Sequence, residues 1–163
     1  MTQEEKQLLL KDLCARLPYG VICVTTSVYY DNDDNEVGQA QGKLVSINRH
    51  GATFVDDRDD TTFGADFEDN GQIGFKPYLR SMSSMTEEEL RELNDKYGSI
   101  AYFFIQEPPY YHGLQAQHED IGSIEISEFS EIYDWLNAHH FDYRRLIEKG
   151  LALEATEGMY KTE

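Results

Sequence analysis

Three stretches of this chain carry residues whose types and spacing could do chemistry. The first, Asp31-Asn32-Asp33-Asp34-Asn35-Glu36, sets oxygen ligands at alternating positions as a calcium loop does. A calcium loop also turns on a glycine at its sixth position and closes with a bidentate glutamate at its twelfth. Here those places hold Glu36 and Gly42, so the stretch reads as a solvated hairpin loop. The second, Asp56-Asp57-Arg58-Asp59-Asp60, has the spacing by which aspartates chelate magnesium on a diphosphate. That chemistry needs a helix to align the carboxylates and a second acidic cluster opposite. This segment instead follows a strand-like run and precedes Thr61, Thr62 and Gly64, which reads as an acidic loop.

The third group is the histidines: His112 and His118 beside Glu119 and Asp120, and His139-His140 near Asp142. Structural zinc takes ligands at tight paired spacings, usually with cysteine. Cys14 and Cys23 offer no such pair, and adjacent His139 and His140 must point to different faces of a helix. Histidines at a helix C-terminus are favoured by its dipole, which explains them without a metal. No metal and no cofactor are therefore expected. Tyr110, Tyr111 and His112, after Pro108-Pro109, could line a small-molecule pocket with stacking faces and hydrogen bonds, the alternative to a proline-stiffened loop. Neither the Gly-x-Ser-x-Gly elbow nor a phosphate-binding Gly-x-x-x-x-Gly-Lys occurs, so the reading favours a non-enzymatic role.

Charge narrows the partners. The 163 residues include 31 acids and 14 bases, a formal net charge of -17. Such a field opposes direct binding to nucleic acid or to an anionic membrane and favours cationic partners. Between residues 31 and 70 there are eleven acids against Lys43, Arg49 and Arg58. If the loops holding Asp31, Asp33, Asp34, Glu36, Asp56, Asp57, Asp59 and Asp60 converge, they form one negative face able to occupy a basic groove. No apolar run approaches the roughly 20 residues that cross a bilayer. The two cysteines lie in apolar runs and read as reduced, packed thiols, which points to the cytoplasm.

The elements that must position these residues are legible in part. Thr2-Gln3-Glu4-Glu5 is a capping box that starts a helix. Leu9, Leu10, Leu13 and Leu17 continue it at helical spacing, with Lys6, Lys11 and Arg16 elsewhere, and Pro18-Tyr19-Gly20 stops it. The β-branched and aromatic run Val21 to Tyr30 predicts a strand, with antiparallel partners at Gly42 to Asn48 and Ala52 to Val55 and a turn at Arg49-His50-Gly51. Residues 56 to 71 predict an exposed loop, and Gln72 to Phe75 a short strand. Thr86 and Glu89 form a second capping box for a helix ending at Gly98. Ser99 to Ile105 predicts a further strand, and Ile121, Ile124 and Ile126 an extended segment. Phe129, Ile132 and Leu136 share one face of a later helix, and Asp142 caps a short final helix ended by Gly150. The sum is one α+β domain over 1-163: an antiparallel meander packed by an N-terminal helix, a middle helix and C-terminal helices.

Two stretches carry a resemblance: Lys76-Pro77-Tyr78-Leu79-Arg80 running into Met82 to Glu89, and Trp135-Leu136-Asn137-Ala138-His139-His140-Phe141-Asp142-Tyr143-Arg144 continued by Leu146 to Ala155. With the opening Thr2 to Gly20, they resemble a family of short acidic proteins from gut Bacteroidetes, their phages and other mobile elements. Members commonly carry glycine and proline where this chain has Arg145 and Thr156. The family has no assigned activity or catalytic residues. What the resemblance implies is context: a small accessory protein encoded by a phage or mobile element, whose partner is a host or phage protein with a basic surface.

Overall fold

The structure, a computed structural model, describes residues 1–27, 29–30, 36–56, 58–97 and 126–160. The chain opens with α1 (Gln3–Arg16), started by the expected reciprocal cap: Glu5 N–H donates to Thr2 Oγ1 at 3.1 Å and Thr2 N–H to Glu5 Oε2 at 2.7 Å. A 3-10 turn through Pro18 ends at Gly20, whose φ of 63° is left-handed. The chain then enters the sheet as β1 (Ile22–Thr25), buried at all four residues.

The expected single strand to Tyr30 is broken. After Thr25 the backbone leaves the sheet, and β2 (Tyr29–Tyr30) pairs with β3 (Glu36–Gly38) in a separate ribbon. The meander follows as β4 (Gln41–Ile47) and β5 (Gly51–Asp56), antiparallel to each other, with β4 also antiparallel to β1. Next comes β6 (Thr62–Asp66), in a stretch expected to be loop; its half-buried Phe63 and Ala65 pair with Phe54 and Ala52 of β5. A ribbon of β7 (Glu68–Asp69) and β8 (Gln72–Ile73) leads to β9 (Phe75–Leu79), antiparallel to β1 on its other side. β10 (Leu153–Glu154) adds in parallel to β9, giving the order β10-β9-β1-β4-β5-β6.

Side chains from α1 and the sheet form one core: Leu9, Leu13, Cys23, Leu44, Phe54, Phe67, Phe75 and Leu79 are almost wholly buried. Phe54 sits at its centre, 5.0 Å from the Phe75 ring and 5.3 Å from Phe63. A second core joins α2 (Glu87–Tyr97) to α3 (Ile126–Ala138), where Leu93, Ile132, Trp135, Leu136 and Phe141 pack. The middle helix thus packs on a C-terminal helix in a core of its own. Its predicted capping box is present, with Thr86 N–H on Glu89 and Glu89 N–H on Thr86 Oγ1.

The predicted last helix is instead a run of turns. Asp142 does cap it, accepting Leu146 N–H and Ile147 N–H, each at 2.8 Å, and Gly150 is left-handed as expected. Arg145, however, has φ 61°, which no α-helix accommodates. The predicted strand 99–105 and the extended segment around Ile121 and Ile124 lie outside the described residues. The α+β architecture and the mostly antiparallel sheet agree with the sequence reading.

Candidate functional site

β6 and β9 stand at opposite sides of β1-β4-β5, yet the sheet curls until the chain leaving β6 meets the chain entering β9. Phe67 N–H donates to the His50 carbonyl at 2.9 Å, and Gly74 N–H reaches the Phe67 carbonyl at 3.0 Å. Thr26 N–H in turn donates to the Gly74 carbonyl at 2.9 Å, tying the end of β1 to the same point. Two glycines permit this approach. A β-carbon at Gly51 would lie 2.2 Å from the Ala65 oxygen, and one at Gly74 2.1 Å from the Asp66 oxygen. Any larger residue would push the strands apart.

The curl leaves a cleft of about 370 Å³, lined by Ser27, Asn48, His50, Asp66, Glu68 and Asp69 together with backbone of β5, β6 and Gly74. Asn48 shapes one wall by accepting the His50 N–H at 2.7 Å, and the His50 ring accepts Arg49 Nε–H at 2.8 Å. On the other wall Asp69 takes the Ser27 hydroxyl and, at 3.0 Å, an Asn70 amide hydrogen. Among the described residues no lysine or arginine forms an ion pair with Asp66, Glu68 or Asp69. Three uncompensated carboxylates on one concave surface can accept hydrogen bonds from, and attract, a cationic group.

Those of the residues singled out by sequence that the structure describes fall elsewhere. Asp31, Asp33, Asp34, Asp57, Tyr110, Tyr111, His112 and His118 lie outside the described residues, and Glu36 opens β3. Asp56 ends β5 with only 5 % of its surface exposed, gripped by Arg58 Nε at 2.9 Å and Nη2 at 2.5 Å. Hydrogen bonds from the Arg58 side chain and backbone hold its carboxyl down at about 2. Asp59 shapes the same turn, accepting the N–H and hydroxyl of Thr61, and these bonds lower its pKa. Asp60 is exposed at φ 57°. These acids build the β5–β6 turn, roughly 15 Å of strand away from Asp66 at about 3.3 Å per residue. In the sequence Asp66, Glu68 and Asp69 are three acids of the 31–70 tract with nothing to set them apart, since only the curl unites them.

A second polar cluster is buried between α1 and the C-terminal turns. Arg16, which the sequence sets apart from the leucine positions of its helix, is 0 % exposed. It donates to both oxygens of Asp12, at 2.7 and 3.2 Å, and to the Phe141 carbonyl at 2.7 Å. Arg144 Nε lies 3.2 Å from Asp12 Oδ1, completing an Arg–Asp–Arg arrangement. Beside it His140 is 5 % exposed, stacked 3.8 Å from the Tyr160 ring, with no partner for Nδ1 among the described residues. Desolvation, then the nearby Arg16, His139 and Arg80 charges, push its pKa down to about 3. His139 turns the other way and stacks on Trp135, as adjacent residues must. Cys23 is buried, which pushes its thiol pKa up, but Cys14 is exposed rather than packed; both are free thiols.

Comparison of the chain with protein-family models, with curated proteins and with solved structures finds no match. No helix among the described residues is long and apolar enough to cross a membrane. Among the same residues no group of three or more His, Cys, Asp and Glu side chains is placed to hold a metal ion.

Proposed function

We propose that the protein is a small non-enzymatic interaction module whose acidic cleft docks a cationic site on a partner protein. The observation that carries this reading is the set Asp66, Glu68 and Asp69, unpaired by any described cation, on one concave surface. The buried or half-buried acids Asp12, Asp56 and Glu89 are answered by arginines, the first by Arg16 and Arg144, the second by Arg58 and the third by Arg80. Leaving a cluster unanswered costs self-repulsion, which a binding role explains. The partner's basic site is of the kind that otherwise holds phosphates, so the module acts as a nucleic-acid mimic or defence inhibitor. The resemblance to proteins of phages and mobile elements supports an accessory role in the cytoplasm, with a host or phage protein as the target.

Affinity capture with the wild type and with Asp66→Lys/Glu68→Lys, each at low and high salt, tests it. A partner held at low salt and released by both salt and charge reversal is the expected result, because rim charges act through screened attraction. Capture indifferent to both would remove the reading. The same reversal at Asp59 and Asp60 is expected to have the weaker effect.

A further inference from the structure

The cleft has a second property besides charge. The Asp56 N–H donates to the Thr61 carbonyl at 2.8 Å, and the Phe67 N–H to the His50 carbonyl at 2.9 Å. Bonded and non-bonded pairs alternate along an antiparallel ladder. In the observed register Phe63 and Ala65 therefore share bonds with Phe54 and Ala52, while Thr62, Gly64 and Asp66 turn their N–H and C=O groups away from β5. β6 ends the sheet order, so among the described residues no strand faces this row at Thr62 and Gly64. Gly74 approaches it at the Asp66 carbonyl, and Gly64 and Asp66 line the cleft.

An unpaired edge is a template for another strand, and natural edges are commonly guarded by charge. Here the guard has one sign. Asp59, Asp60 and Asp66 flank or belong to β6, with Glu68 and Asp69 just beyond. A second copy of this chain would bring like charges together. The undescribed segment 98–125 holds four acids and no lysine or arginine, so it offers no complement to that charge. The occupant that fits is extended, basic and alternating. Its cationic side chains would lie on the Asp66 face, and apolar ones beside half-buried Phe63 and Ala65.

Resting on the docking role given above, we propose that the partner binds by adding an extended basic segment to the outer edge of β6. The probe is an acetylated, amidated octapeptide alternating lysine and valine, with two analogues of equal charge, N-methylated either at the valines or at the lysines. Fluorescence anisotropy is expected to show binding that weakens about tenfold in Asp66→Asn/Glu68→Gln and with added salt. One of the two N-methylated analogues, that whose amides face β6, should lose binding at least about tenfold, since main-chain bonds supply the affinity in strand addition. Gly64→Pro should do the same, because it deletes an outward N–H and leaves the bonds to β5 intact. Gly64→Ala, whose β-carbon meets nothing closer than 3.7 Å, should bind as the wild type does. If both analogues bind as well as the parent peptide, strand addition is wrong while charge-driven docking stands. If the parent peptide does not bind, strand addition is likewise wrong, and the capture experiment alone judges docking. The analogues need no protein variant, so a folding defect in Gly64→Pro cannot obscure the answer.

Discussion

The two polar clusters of this molecule treat their carboxylates in opposite ways. Asp12, wholly buried, is held by two arginines and lies in a core where every charge must be matched. Asp66 and Glu68, on the cleft wall, form no ion pair with a described lysine or arginine. The first arrangement ties α1 to the C-terminal turns through Arg16 and the Phe141 carbonyl. The second leaves attraction available for something outside the chain. Acidity alone therefore says little here; what distinguishes the carboxylates is whether the fold has already answered them.

The largest effect should come from breaking the buried cluster. Asp12→Ala leaves the Arg16 guanidinium buried without its counter-ion, a change that costs about 3–5 kcal/mol in comparable sites. Denaturant unfolding should show that loss, whereas Asp66→Ala should stay within about 0.5 kcal/mol of the wild type. Equal effects would erase the distinction between the clusters.

Acid should act on the same side of the comparison. His140 is neutral in the fold, its pKa depressed to about 3 from 6.5 by burial and by the Arg16, His139 and Arg80 charges, with Asp142 and Asp12 the acids of the same cluster. A depressed folded pKa means that stability is intact above 6.5 and is lost as pH falls toward 3. At about 1.4 kcal/mol per unit, two units below the unfolded value cost roughly 3 kcal/mol. Stability measured by denaturant between about pH 7 and pH 4.5 should fall by that order. His140→Asn, a residue that tolerates the observed φ of 60°, should flatten the slope while losing the stack on Tyr160. Glu89, whose burial opposes its charge but which Arg80 and the Thr86 amide hold at about 2, adds a loss at still lower pH.

The sequence was most legible where structure is local. Both capping boxes, the stop at Gly20 and the Asp142 cap depend on residues within a few positions of each other, and all are present. It was least legible where distant contacts decide. The polar and turn-forming residues Thr61, Thr62 and Gly64 hide β6, since only Phe63 and Ala65 mark its inner face and the strand needs β5 to exist. Arg16 reads only as a charge off the leucine positions until Asp12, Phe141 and Arg144 are brought around it. The cleft is legible only after the curl, and the curl depends on Gly51 and Gly74 meeting the backbone of Ala65 and Asp66.

Arg145 tests the boundary between the two kinds of information. Its left-handed φ of 61° carries a strain of about 1 kcal/mol that glycine avoids, and its ion pair with Glu148 is exposed on both sides. Arg145→Gly should therefore raise stability by up to about 1 kcal/mol in thermal or denaturant unfolding, even though it deletes a charge pair. A loss would mean that the Glu148 contact orders the turns that carry Leu146 into the core.

The smallest predicted effect bears most directly on why the cleft is acidic. If Asp66 and Glu68 serve only to attract a partner, the isolated fold bears their repulsion, and Asp66→Asn/Glu68→Gln should stabilise it by about 0.5 kcal/mol at low ionic strength. Raising the salt to about 1 M shortens the screening length to roughly 3 Å, so the variant's advantage should vanish. The opposite sign, a loss of stability that salt does not alter, would mean that these carboxylates hold the curl together by hydrogen bonds. They would then belong with Asp12 and Asp56 as structural acids, and the contrast between the clusters would collapse.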